Sequence, residues 1–256
     1  MILSVIIPFS SELNLINRTI NSVIVNSKIF DLVEIIIIND GIFKEDDIRS
    51  KIEKNNIHLI KIIKNTYPKG PGGARNTGID NSKGDVIAFL DADDFWLHGK
   101  LEAQIQKIKE GATFVATSYR FEKSKTIINA PLKIKNPDDI FLNRGIATST
   151  VIITKELLDD KRFRDIRFGQ DIDFWYNLSK SKKFKFASLP KVFAEYSTSG
   201  STKNKWVQLY YVNKILSLNN ISILTRIRFN FSYILNGIYN HYIRNQFRKN
   251  LWMISK

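Results

Sequence analysis

The 256-residue chain has no cysteine. That absence excludes a disulfide scaffold, a cysteine-ligated zinc site and thiol nucleophiles. Histidine is scarce too: His58, His98 and His241 have no partners at metal-ligand spacing, so they are read as non-ligands. No apolar run exceeds about five residues, against the roughly 20 that a membrane-spanning helix needs. The opening run Met1-Ile2-Leu3-Ser4-Val5-Ile6-Ile7 carries no basic residue and is cut by Pro8, unlike a secretory leader. The expected location is therefore cytoplasmic, with peripheral attachment to the inner face of the cell membrane as an option. One region also lacks acid altogether. Between Tyr196 and Lys256 there are nine Lys or Arg and no Asp or Glu.

What is present is ordinary globular composition, 43% apolar and 25% charged, which rules out a disordered or collagen-like chain. The net charge of +14 is concentrated in the acid-free end, and such an excess calls for a partner or a surface. The chain thus reads as a body over residues 1–205 and a basic, aromatic helical tail over 206–256. Within the body, residues 1–95 and 96–205 form two halves.

In the first half, strand and helix signals alternate. Leu3 to Ile7 is a short apolar run, and Glu12 to Asn26 has helical spacing at Leu13, Ile16, Ile20 and Val23. Val33 to Ile38 is a β-branched run of the kind buried on both faces of a sheet. Lys44 to Lys54 reads as helix, His58 to Ile63 as strand, Gly72 to Asn81 as helix and Val86 to Leu90 as strand. This alternation predicts an α/β fold, a doubly wound and mostly parallel Rossmann-like sheet, with ligands at the carboxyl ends of its strands. Further on, Thr113 to Ser118 and Ser149 to Thr154 read as strands, Lys123 to Pro137 as a basic loop or hairpin, and Gln170 to Ser181 as helix. An apolar stripe from Leu224 through Ile227, Phe231, Ile234, Leu235 and Ile238 to Tyr242 predicts a C-terminal helix.

Four stretches carry candidate chemistry. Asp91-Ala92-Asp93-Asp94 follows the apolar run directly, and three carboxylates so close repel one another unless a cation neutralises them. Mg2+ or Mn2+ shared with substrate phosphates resolves that conflict; a solvated acidic turn is the alternative. Gly70-Pro71-Gly72-Gly73-Ala74-Arg75 turns into a helix whose first backbone donors and Arg75 suit phosphate oxygens, or it is a plain loop. Asp40 in Asn39-Asp40-Gly41 either accepts a hydrogen bond from a base or belongs to a turn. Asp171 stands at the start of a helix, as a cap or as a carboxylate able to take a proton from a hydroxyl.

Taken in order, these stretches resemble the family 2 glycosyltransferases of the GT-A fold over roughly residues 1–205. The anchors are Val5-Ile6-Ile7-Pro8, Asn39-Asp40-Gly41, Gly73-Ala74-Arg75-Asn76-Thr77-Gly78, Phe89-Leu90-Asp91-Ala92-Asp93-Asp94 and Gln170-Asp171. The part from Tyr196 through Ser201-Thr202-Lys203-Asn204-Lys205-Trp206 to Tyr239 is similar to the teichuronic-acid type that builds bacterial surface polysaccharides. The resemblance implies an inverting hexosyl transfer from a nucleotide sugar, a UDP-sugar, to a glycan or polyprenyl-diphosphate-linked acceptor of capsule, O-antigen or lipooligosaccharide synthesis. It implies that Pro8, Ser10 and Glu12 line the nucleotide pocket and that Asp40 binds the uracil. Arg75 would lie near the diphosphate or the acidic cluster, and Asp91 and Asp93 would hold Mn2+ or Mg2+ as a DxD pair with Ala92 between them. Asp171 would be the base, and Ser201, Lys203 and Lys205 would lie in a segment closing over the diphosphate.

The sequence departs from the family pattern at Phe9-Ser10, Ile42, Gln170 and Ser197. The Gln170 departure keeps the base and loses its acidic neighbour; Ser197 stands where an Arg is frequent. Two other readings were weighed. A nucleotidyltransferase would need a glycine-rich loop with a lysine after the first strand, and Pro8-Phe9-Ser10-Ser11-Glu12 has neither. A non-catalytic sugar-nucleotide or glycan-binding relative is opposed by intact Asp93 and Asp171. The tail's Arg226, Arg228, Arg244, Arg248 and Lys249, interleaved with aromatics, suit an anionic membrane surface or simple packing on the body; no nucleic-acid recognition motif is present.

Overall fold

The computed structural model describes residues 1–142, 145–197 and 205–238. The chain divides into two compact units, Met1–Ser201 and Thr202–Lys256.

The first unit begins with β1 (Ile2–Phe9), α1 (Ile16–Asn26), β2 (Leu32–Asn39), α2 (Glu45–Arg49), β3 (Ile60–Lys64), α3 (Pro71–Asp80) and β4 (Val86–Phe89). It continues through β5 (Phe95–Trp96), α4 (Lys100–Lys109), β6 (Phe114–Phe121), β7 (Ile127–Ile128), α5 (Asp139–Leu142), β8 (Ile152–Thr154), α6 (Lys155–Leu158), α7 (Gln170–Ser179) and β9 (Phe186–Tyr196). One sheet runs in the order β3-β2-β1-β4-β8-β6-β9-β5, with β7 paired to β6. The first four strands are parallel. β8 then lies antiparallel between β4 and β6, while β6 and β9 run parallel.

The alternation of side chains along a strand divides the core between the two faces of the sheet. Leu3, Val5 and Ile7 of β1 join Ile35 and Ile37 of β2 and the apolar stripe Ile16, Ile20 and Val23 of α1 in one cluster. On the other face Ile6 receives α3. Gly78 makes that approach possible, because a Cβ there would stand 2.3 Å from Ile6 Cγ2. The four-isoleucine run Ile35–Ile38 is fully buried, as a central strand covered on both faces requires. The sequence reading offers no counterpart for β5, α4, α5, α6 or β9. β9 contains Pro190, at a break in its pairing with β6 where the register jumps from Leu189 to Val192.

The second unit holds α8 (Lys205–Leu218) and α9 (Ile223–Ile238). Asn213 and Asn230 exchange amide hydrogen bonds of 2.9 and 3.0 Å between the two helices. On α9, Leu224, Ile227 and Phe231 are exposed. Lys203 and residues 239–256, with Tyr242, Arg244, Arg248 and Lys249, lie outside the described residues. Lys205 opens α8, but its side chain is not described.

Candidate functional site

β1, β2 and β4 all run the same way, so their carboxyl ends deliver Pro8, Asp40 and the Asp91 segment to one edge. A cleft of about 700 Å³ opens there. Pro8, Ser10, Glu12, Asp40, Arg75, Asp91, Ala92, Asp93 and Asp171 all line it, so the structure brings every described candidate side chain to one place.

Glu12 folds back on its own loop and accepts hydrogen bonds from the Ser10 and Ser11 backbone amides at 2.9 and 2.7 Å. Those bonds outweigh burial and lower its pKa. The acidic turn after β4 is held from three directions. Arg75, buried on α3, donates to Asp91 Oδ1 at 2.6 Å. The Ser197 hydroxyl at the end of β9 donates to Asp93 Oδ2. Asp94 is buried, and its carboxylate accepts from the Ser149 hydroxyl at 2.6 Å and from the Ser197 amide at 3.1 Å. Ser149 also accepts from the Asp91 amide at 3.1 Å, and its own amide donates to the Tyr196 hydroxyl at 2.9 Å.

Burial raises the pKa of Asp93, with Asp91 and Glu12 adding repulsion. Asp94 is pushed well up by burial and by the charges of Asp91 and Asp93. Six carboxylates line the cleft, those of Glu12, Asp40, Asp91, Asp93, Asp94 and Asp171, and among the described residues Arg75 is ion-paired to Asp91. No group of three acidic or histidine side chains among the described residues is arranged to hold a metal. Asp91 and Asp93 nonetheless fit a hard divalent cation, which takes one or two carboxylates and completes its shell with water and phosphate oxygens.

Asp171 is the second residue of α7. Gly169, in the left-handed region at φ 71°, occupies the capping position, so Asp171 does not serve as the cap. Its carboxylate accepts from the adjacent Ile172 amide at 2.9 Å. Burial raises its pKa, against a smaller lowering from that amide and from Arg75. The segment before α7 is clamped to α3: Asn76 donates to the Phe163 carbonyl and accepts from the Phe163 amide, each at 2.8 Å. Gln170 lies against Gly72, where an added Cβ would come within 2.8 Å of its Oε1. These two contacts fix α7, which carries Asp171, to α3, which carries Arg75.

Asp40 has a structural task. Its carboxylate accepts from the Gly70 amide and from Asn65 Nδ2, both at 2.7 Å, tying the end of β2 to the loop that enters α3. The turn itself is made by Asn39, whose Oδ1 accepts from the Gly41 amide at 3.1 Å. Carboxylate oxygens accept more than one bond, so Asp40 keeps capacity toward the cleft. Sequence reasoning assigned no role to Tyr119, Phe121, Ser149, Phe168 or Tyr196. All but Ser149 line the cleft, and Ser149 is the residue on which Asp91 and Asp94 converge.

Residues 4–176 match the profile of Glycosyl transferase family 2. The chain is 29% identical over 246 residues to the UDP-Glc:alpha-D-GlcNAc-diphosphoundecaprenol beta-1,3-glucosyltransferase WfgD of Escherichia coli, which spans 94% of this chain and 95% of that one. It is 31% identical over 216 residues to the putative teichuronic acid biosynthesis glycosyltransferase TuaG of Bacillus subtilis, over 80% of this chain and 83% of that one. Among solved structures, S. aureus TarS 1-349 in complex with UDP-GlcNAc aligns with a TM-score of 0.66 at 18% identity, over 96% of this chain and 75% of that one. At that identity the likeness concerns the GT-A fold.

Proposed function

The chain belongs to glycosyl transferase family 2, and from that premise we propose that it moves a sugar from a UDP-sugar to a hydroxyl of a lipid-linked bacterial surface glycan, of the capsule, O-antigen or lipooligosaccharide kind. The observation that carries this reading is the convergence of Asp40, Arg75, Asp91, Asp93 and Asp171 on one cleft. WfgD, similar over nearly its whole length, is named for a UDP-glucose donor and a diphosphoundecaprenol-linked acceptor.

Pro8, Ser10, Glu12 and Asp40 bind the nucleoside, with Asp40 accepting from the uracil imide. Arg75 holds Asp91 in place. Asp171 takes the proton of the acceptor hydroxyl. The freed oxygen attacks the anomeric carbon from the face opposite the diphosphate. The bond to the leaving oxygen breaks, its electron pair leaves with UDP, and the anomeric configuration inverts. Asp91 and Asp93 would hold Mn2+ or Mg2+, which would supply charge neutralisation for the diphosphate. The exposed Leu224, Ile227 and Phe231 on α9, with Arg226 and Arg228 beside them in sequence, support contact with an anionic membrane surface on the cytoplasmic side.

Thermal unfolding with UDP, with and without manganese, tests this reading. A ligand at about 100 times its Kd adds roughly 2.7 kcal/mol, an upward shift of about 5–10 °C for a chain of this size. Asp171→Asn is expected to keep that shift and lose transfer. Asp93→Ala is expected to lose the manganese-dependent part. No shift with any nucleotide would move the assignment to a non-catalytic glycan-binding protein.

A further inference from the structure

Tyr119 has no part in the mechanism above, yet it lines the same cleft. It lies on β6, in the second half of the sheet, and is only 9% exposed. Its hydroxyl makes no hydrogen bond among the described residues and is not sealed off from the cleft. A hydroxyl that opens on a cleft and spends no bond on the protein is left to bond whatever occupies that cleft. Tyr196, packed against it with ring centroids 4.6 Å apart, differs in this respect, since its hydroxyl accepts from the Ser149 amide. Burial, with the charges of Asp171 and Asp94, raises Tyr119 to about 12. It therefore stays a hydrogen-bond donor at any working pH, and it sits close enough to Asp171 to feel that carboxylate.

Phe121 follows two residues later on the same face of β6. Its ring lies 5.7 Å from that of Tyr119, edge to face at 77°, and it too lines the cleft. The strand end is braced by Glu122, paired with Arg18 at 2.8 Å. A pyranose has apolar C–H faces and a rim of hydroxyls, so an aromatic ring beside a free donor matches it chemically. The nucleoside-binding candidates Pro8, Ser10, Glu12 and Asp40 come from the first half of the chain, whereas Tyr119 and Phe121 come from the second and line the cleft with Asp171. The sugar whose hydroxyl meets that base is the acceptor's.

We propose that Tyr119 and Phe121 form the subsite for the acceptor's terminal pyranose, the Tyr119 hydroxyl donating to a sugar oxygen and the Phe121 ring meeting a C–H face. This rests on the transferase reading above. The test is steady-state transfer from a panel of UDP-sugars to short-alkyl diphosphates carrying GlcNAc, GalNAc or glucose, with UDP affinity measured separately by titration calorimetry. Tyr119→Phe removes one oxygen and leaves the ring packing intact. Its acceptor KM is expected to rise about five- to tenfold, the scale of one lost hydrogen bond, with UDP Kd within twofold of the parent. Phe121→Ala is expected to raise the same KM. An acceptor KM within twofold of wild type in Tyr119→Phe, or a rise in UDP Kd alongside it, overturns the subsite. A wild-type protein that binds no UDP, or transfers to none of the probes, overturns the transferase reading itself and this inference with it.

Discussion

At Asp171 the surroundings set the pH at which the carboxyl ionises. Burial raises its pKa above 3.8, so in the native state the proton is held more tightly than in the unfolded chain. Native stability from this group is therefore full below the ordinary carboxylate value and is lost as pH rises through the raised one. A base must be ionised to act, so, with Asp171 as the proposed base, kcat is expected to climb with pH through a value raised above the ordinary 3.8. A kcat profile already flat from pH 4 upward would remove Asp171 from the role. Lys100 has the opposite sign. It is wholly buried with Nζ on Gln104 Oε1 at 2.6 Å and over the Trp96 ring at 4.1 Å, and burial alone lowers its pKa well below 10.5. Stability linked to that amine is present above 10.5 and is lost as pH falls through the depressed value. Lys100→Met should accordingly gain Tm relative to wild type as pH is lowered from about 10. Parallel Tm curves would show that Lys100 does not titrate in this range.

Among the elements, α3 does more than cover the sheet. Asn76 mimics a strand edge for Phe163, and the Phe163 ring stacks on Phe174 of α7 with centroids 3.9 Å apart. Asn76→Ala leaves two buried backbone groups unsatisfied, at about 1–3 kcal/mol each. Chemical denaturation should show a loss of at least about 2 kcal/mol, and kcat should fall further than UDP affinity does. Equal losses in both would place Asn76 in general stability only. The parallel half of the fold was legible because its signals are local: the Ile35–Ile38 run, the α1 stripe and the glycine entry into α3 each sit in a few consecutive residues. β9 was not, since Pro190 and Lys191 interrupt its pattern and its strand character comes from pairing with β6 and β5. The site divides the same way. Asp91 and Asp93 announce themselves by crowding, and Asp171 by its place at the start of a helix. Asp40's grip on Gly70, and Ser149 beneath Asp94, depend on contacts 30 and 55 residues away that no local pattern encodes. Tyr119 falls one residue beyond the strand read over Thr113 to Ser118, and only the fold, with β6 running on to Phe121, carries it to the cleft.

For the whole molecule, charge is the governing property. The body is nearly balanced, and most of the excess of +14 falls beyond Tyr196. No helix among the described residues is long and apolar enough to cross a membrane. Each cation near an anionic surface contributes about 1 kcal/mol, screened by salt. Co-sedimentation is expected with phosphatidylglycerol vesicles and not with phosphatidylcholine alone, weakening as salt is raised and in Arg226→Glu/Arg228→Glu. Binding indifferent to lipid charge would assign the basic end another partner.

The hydrogen bonds on Asp94 also fix an order in time. Its donors, Ser149 and Ser197, stand 55 and 103 residues further along the chain. Translation at about 5–20 residues per second exposes Asp91, Asp93 and Asp94 for several seconds before either serine exists. A ribosome-bound chain can therefore assemble the parallel half of the sheet early, but it completes the acidic turn only once the end of β9 has emerged. The catalytic edge is the last part of the first unit to be built.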